Sequence, residues 1–170
     1  MDLREFIEDV PDFPKPGIVF RDLTPLFLDP QLLEYTLEQL VERAPDADVV
    51  VAAEARGFIL GAALARALGA GFIPARKPGK LPRATASAEY ALEYGVDALH
   101  VHSDALAGGT RVLVHDDLLA TGGTAKAKVD LVEQLGGIVV GLAFVIELEF
   151  LGGREKLGDY DVYSLVTYAE

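Results

Sequence analysis

Two adjacent carboxylates, Asp116 and Asp117, follow an apolar run, Val112-Leu113-Val114, and lead through Leu118-Leu119-Ala120 into the turn Thr121-Gly122-Gly123-Thr124. Glycines let the backbone approach a ligand closely, and free N–H groups at the start of a helix attract an anion. Thr121 and Thr124 add hydroxyl donors. Carboxylates would repel a phosphate, but they accept hydrogen bonds from sugar hydroxyls and suit a nearby cation such as Mg²⁺. Phosphate on the glycines and hydroxyls on the acids together fit a ribose phosphate. Each hydrogen bond to a charged group contributes about 1.5–3 kcal/mol, so three or four hold a phosphate firmly.

A second cluster is basic. Arg76, Lys77, Lys80 and Arg83 place four of the 15 Lys and Arg residues within eight positions, where a uniform spread puts fewer than one. The chain carries a formal net charge of −12, so this cluster is a local positive field able to draw in an anion. Standing alone it would read as a solvated loop. In Glu54-Ala55-Arg56-Gly57 a glycine beside an arginine lets a loop bend sharply against an oxyanion. The alternative is that Arg56 pairs with Glu54 or caps a carbonyl.

These segments need a frame. Asp29-Pro30 reads as a helix start, and Leu32, Leu33, Leu37, Leu40 and Val41 recur at helical spacing until Pro45. Residues 48–53 form a short β-branched run, hence a buried strand. It leads to a helix over 58–68 closed by Gly69 and a second strand over 71–75. A third strand is expected at 111–115, a helix at 126–135, and strands at 138–147 and 161–167. Five prolines between residues 10 and 30 make that stretch an ordered arm or loop rather than helix. Strands alternating with helices predict an α/β domain with a mainly parallel sheet covered on both faces. Ligands then sit beyond the carboxyl ends of the strands, where 54–57, 76–83 and 116–124 fall.

Composition narrows the classes. A chain of 170 residues suits one domain, and 51% hydrophobic residues lie within the globular range. The chain has no cysteine, which excludes a disulfide framework and thiolate metal sites. The acidic start Met1-Asp2-Leu3-Arg4-Glu5 does not read as a signal peptide. No apolar run approaches the ~20 residues that span a bilayer, and the acidic balance argues against nucleic acid as the main partner. A cytoplasmic protein with no membrane partner is expected.

The string Asp116–Thr124 resembles the signature of type I phosphoribosyltransferases, and its wording is closest to the adenine branch of that family. Further segments agree with that branch: Phe13–Asp22, Glu54–Phe58, Arg76–Pro82, Leu92-Glu93-Tyr94-Gly95 and Leu151–Leu157. The resemblance implies the type I phosphoribosyltransferase fold over residues 1–170, with an N-terminal arm or base hood over 1–30 and a flexible catalytic loop over 77–95. It implies purine salvage: adenine and 5-phosphoribosyl-1-diphosphate give AMP and diphosphate, with Mg²⁺ bound mainly through the substrate diphosphate. The base could instead be another purine or a pyrimidine. A regulator that senses the sugar diphosphate is the rival of another class, although no basic nucleic-acid surface accompanies the pI of about 4.6.

By the same resemblance, Asp116, Asp117, Ala120, Thr121, Gly122, Gly123 and Thr124 bind ribose phosphate, the two acids also being catalytic. Ala55, Arg56, Gly57, Arg76, Lys77 and Lys80 take the diphosphate, and Val19, Phe20 and Arg21 clasp adenine. Glu93 matches a proton carrier to the purine ring, a task that suits a carboxylate because a base attacking through N9 must shed a proton. Arg76 matches an arginine that reaches into a neighbouring subunit, which implies a homodimer. Three positions depart from the family pattern. His115 stands where a branched apolar residue is usual and reads as a satisfied histidine near the strand end. Ala55 replaces a frequent serine, removing one hydroxyl donor, and residues 84–89 differ from many relatives.

Overall fold

The computed structural model describes residues 1–92 and 94–170. The expected parallel sheet forms its centre, with five strands in the order β4-β3-β7-β8-β9. These are β3 (Val49–Ala53), β4 (Gly71–Ala75), β7 (Arg111–Leu119), β8 (Ile138–Leu148) and β9 (Val162–Tyr168). Every neighbouring pair is parallel. β7 is the central strand, with β3 on one side, and Val50, Val51, Val112, Leu113 and Val114 are buried. Such strands need cover on both sides because successive side chains point to opposite faces.

The helices supply that cover. On one face, α2 (Pro30–Arg43) and α3 (Arg56–Leu68) contribute Leu40, Leu60 and Leu64 to a core with Val50, Leu113 and Val145. On the other, α4 (Gly123–Gln134) contributes Val129, Leu131 and Val132 to a core with Val51, Val112 and Val114. α2 starts where the sequence says it should. Asp29 accepts hydrogen bonds from Gln31 N (2.8 Å) and Leu32 N (3.3 Å), with Pro30 beginning the helix.

Two antiparallel hairpins lie outside the expected pattern. β1 (Glu8–Pro11) pairs with β2 (Val19–Asp22) inside the proline-rich arm, ahead of the one-turn helix α1 (Pro25–Leu28). β5 (Thr85–Ala91) pairs with β6 (Val96–His102), so residues 85–91 of the segment expected as a loop over 77–95 are strand. Leu99 and Val101 of β6 join the α4-side core.

The chain leaves β3 for β4 on one side of it and later returns as β7 on the other. Strand order therefore reverses between β3 and β7, and a crevice opens beyond their carboxyl ends, the usual ligand position in such sheets. β7 runs four residues past the expected end at 115. Asp116 and Asp117 are thus strand residues, opposite the apolar β8 rather than in a turn.

Candidate active site

The crevice is a cleft of about 400 Å³. One wall is the segment Glu54–Gly57 after β3, and the floor is Asp116 to Ala125, where β7 passes into α4. Lys77 and Tyr90 complete the rim. The structure therefore brings together Ala55, Arg56, Gly57, Lys77, Asp116, Asp117, Ala120, Thr121, Gly122, Gly123 and Thr124.

The turn into α4 is shaped by two glycines far apart in sequence. Gly122 has φ +86°, a left-handed conformation that a side chain resists, and a Cβ there would lie 2.5 Å from the Gly153 carbonyl oxygen. A Cβ on Gly153 would lie 2.5 Å from the Ala120 carbonyl oxygen. The C-terminal Gly-Gly segment is thus the support against which the turn is folded. No side chain caps α4 at this end, so its first N–H groups face the cleft, where a helix terminus attracts an anion.

The acid pair is buried and already paired. Lys128 Nζ lies 2.5 Å from Asp116 Oδ2 and donates to the His115 carbonyl at 2.8 Å. Asp117 N donates to Asp116 Oδ1 at 3.0 Å. Arg56 Nε lies 3.0 Å from Asp117 Oδ2, an ion pair without hydrogen-bond alignment, and its guanidinium stacks 4.9 Å from the Phe20 ring centre. Burial alone would raise the Asp116 carboxyl, but the Lys128 ammonium and its hydrogen bond outweigh that and hold it below the usual range. Asp117 goes the other way: burial, then the negative charge of Asp116, push it up to about 7 against the pull of Arg56. Two adjacent carboxylates in one pocket cannot both ionise freely, and the cations decide which does.

The basic segment is also tied to acids. Glu54 accepts from Lys77 N (2.8 Å) and Arg76 Nε (3.1 Å); chiefly the Lys77 backbone bond holds its carboxyl below the ordinary value. Lys77 Nζ reaches Tyr90 Oη (3.0 Å) and Asp97. Arg76 stands behind Glu54 rather than lining the cleft, and Lys80 acts on Glu54 through its field.

Three expected site residues meet different surroundings. Arg21 is 14% exposed and committed elsewhere: it pairs with Asp9, lies 4.2 Å from the Tyr168 ring and donates to the Glu170 carbonyl. Phe20 borders the cleft through Arg56, whereas Val19 is 45% exposed on the hood. Glu93 lies outside the described residues.

Expectation for His115 needs correcting. It is buried, and neither ring nitrogen makes a well-formed hydrogen bond among the described residues, the Ala143 backbone touching the ring only weakly. Its strand is packed on both faces, and burial lowers its pKa to about 4, leaving it neutral. Sequence reasoning also missed Tyr90, Asp97 and Lys128. Lys128 did leave a signal, because it interrupts the apolar stripe Ala125, Val129 and Val132 at helical spacing.

Residues 32–167 match the family model described as phosphoribosyl transferase domain. The chain is 54% identical over 170 residues to the adenine phosphoribosyltransferase of Thermotoga petrophila, covering 99% of this chain and 100% of that one. The chain belongs to the adenine phosphoribosyltransferase family. Its structure is similar to that of the family member from Thermoanaerobacter pseudethanolicus, with a TM-score of 0.95, 51% identity and 98% of each chain covered. It is also similar to the Saccharomyces cerevisiae adenine phosphoribosyltransferase complexed with an imino-altritol bisphosphate and adenine. There the TM-score is 0.86 at 40% identity, over 96% of each chain. Membership thus extends over the arm, the cleft and the C-terminal support as one unit, and the type I fold expected from the Asp116–Thr124 string is the fold observed.

Proposed function

We propose that the protein is a pentosyltransferase that moves the 5-phosphoribosyl group of 5-phosphoribosyl-1-diphosphate to N9 of adenine, giving AMP and diphosphate. One observation carries this reading. An uncapped helix start, a buried acid pair and an arginine-bearing loop face one another across a single cleft.

The 5-phosphate sits on the N–H groups and hydroxyls of Ala120, Thr121, Gly122, Gly123 and Thr124. Asp116 and Asp117 accept from the ribose hydroxyls. The diphosphate rests against Ala55, Arg56 and Gly57, with Lys77 on the rim and Arg76 and Lys80 behind. As the bond from C1 to diphosphate lengthens, positive charge grows on the sugar and negative charge on the leaving group. The fixed acids stabilise the first and the arginine and lysines the second, without reorganisation at the moment of reaction. Adenine enters under the hood of Val19, Phe20 and Arg21. Because the Arg21 side chain is engaged with Asp9 and Tyr168, that residue serves the base through its backbone. Glu93 takes part by relaying the proton the purine must lose.

Magnesium fits as an ion carried on the substrate. Asp116 is committed to Lys128, and the described residues gather no group of three or more His, Asp or Glu side chains able to hold a metal, so the ion would take its ligands mainly from the diphosphate. When bound, it neutralises leaving-group charge. Closure of 77–95 over the cleft excludes water from the cationic sugar. The working form is a cytoplasmic homodimer, in which Arg76 trades Glu54 for the neighbouring subunit's diphosphate. Among the described residues no helix is long and apolar enough to cross a membrane.

The test is a panel of bases incubated with sugar diphosphate and Mg²⁺, with nucleotide products separated chromatographically. AMP from adenine, with far less product from hypoxanthine, guanine or pyrimidines, is expected. Product from another base at equal efficiency would overturn the assignment of adenine.

A further inference from the structure

Lys128 is the one lysine or arginine among the described residues that is fully buried. Lysine almost never occupies such a place unless an opposite charge holds it. Here the opposite charge is one of the two acids in the cleft. Lys128 projects from α4 toward the end of β7, where its ammonium is held by Asp116 Oδ2 (2.5 Å) and the His115 carbonyl (2.8 Å).

Asp116 is fixed on its other side as well. Its Oδ1 accepts from Asp117 N at 3.0 Å, and it lies so close to Gly57 that a Cβ there would approach within 2.5 Å. Its neighbour differs in kind. The partner of Asp117 is Arg56, which begins α3 on the proposed diphosphate wall and is 36% exposed. Arg56 can leave with an incoming anion; Lys128 has nowhere else to go.

Charge counting shows what this asymmetry does. With both acids ionised, Lys128, Asp116, Asp117 and Arg56 sum to zero. Once Arg56 turns to the diphosphate, the remaining three carry one negative charge, located on Asp117. A sugar passing through a cationic state carries one positive charge, so a single anion held in place matches it. Without Lys128 the same event would leave two adjacent buried anions, which repel each other.

We propose that Lys128 is a positioning residue for the pentose-binding acids: its ammonium locks Asp116 and leaves Asp117 as the one free anion once substrate has drawn Arg56 away. This rests on the reading of Asp116–Thr124 as the ribose-phosphate cradle. It adds a role for a residue outside that string.

The experiment compares wild type with Lys128→Met, which keeps the length and removes the charge, and Lys128→Gln, which keeps a donor without charge. In folded protein, both variants should lose ~30-fold or more in kcat/KM for the sugar diphosphate, the scale expected when a buried charge pair is broken. The KM for adenine should stay within about twofold, since the base lies beyond the pair. A purely structural role predicts lower Tm with both KM values unchanged, and that result would overturn the proposal. If neither variant folds, wild type labelled with ¹⁵N-lysine gives the answer. The solvent-protected ammonium signal should shift when sugar diphosphate and Mg²⁺ are added, and an unmoved signal would overturn the proposal. Absence of AMP formation by wild type would count against the reaction itself, and the role of Lys128 would fall with it. Normal wild-type turnover beside unaffected variants would count against Lys128 alone.

Discussion

Arg56 and Asp117, 3.0 Å apart, tie the proposed diphosphate wall to the proposed sugar cradle before any substrate is present. The guanidinium also stacks on Phe20 of the hood. One arginine therefore touches all three proposed subsites, and substrate binding must redistribute its contacts.

Arg56→Ala should raise the KM for sugar diphosphate by about 10–100-fold, the loss expected for hydrogen bonds to a charged group. It should also lower kcat, because the leaving group loses a counter-charge. Steady-state kinetics at saturating adenine measures both. An unchanged KM would remove Arg56 from the diphosphate wall.

The pH dependence of kcat/KM for sugar diphosphate should show an acid limb near 7, since Asp117 is pushed up to about 7 and is a poor acceptor once protonated. Asp117→Asn should abolish that limb along with most of the activity. Stability follows the opposite sense. A carboxyl with a raised folded pKa binds its proton more tightly when folded, so its contribution is full below about 4 and is lost as pH rises to about 7. His115, lowered to about 4, works against this. Its neutral burial costs stability as pH falls from about 6.5 toward 4. Chemical denaturation of wild type, Asp117→Asn and His115→Val across this window should separate the two slopes.

Gly122→Ala should destabilise the fold by about 1–3 kcal/mol, because the new Cβ meets the Gly153 carbonyl at a left-handed backbone position. For a chain of this size that is a fall in Tm of roughly 3–10 °C. Gly153→Ala should act alike through the Ala120 carbonyl, and the pair should be non-additive. Calorimetry on the two single variants and the double variant checks this.

Arg76→Ala should mainly raise the KM for sugar diphosphate. If the arginine serves the neighbouring subunit, mixing Arg76→Ala chains with Asp117→Asn chains should recover part of the activity. No recovery in heterodimers confirmed by mass would place Arg76 on its own cleft.

Much of the frame is visible in the chain because burial writes itself into composition. Val49–Ala53 and Val112–Val114 are strands packed on both faces, so they read as unbroken apolar runs. Asp29-Pro30 marks a helix start by capping chemistry that the structure reproduces. The hairpins escaped for the converse reason. β5 alternates between exposed and half-buried small residues, and the arm holds prolines that usually forbid strands. Asp116 and Asp117 were legible as chemistry but not as strand residues, since a carboxylate pair normally ends a buried strand. Here Lys128, twelve residues beyond Asp116 and on α4, makes their burial tolerable. The backbone contact of Gly122 with Gly153 left no local mark, since it depends on a segment about thirty residues away.

The most direct measurement is Mg²⁺-dependent AMP formation from adenine and sugar diphosphate by wild type and Asp117→Asn side by side. Robust turnover by wild type and a loss of ~10²–10³-fold in the variant is the predicted result. Equal rates in both, or no AMP from folded wild type, would contradict the account.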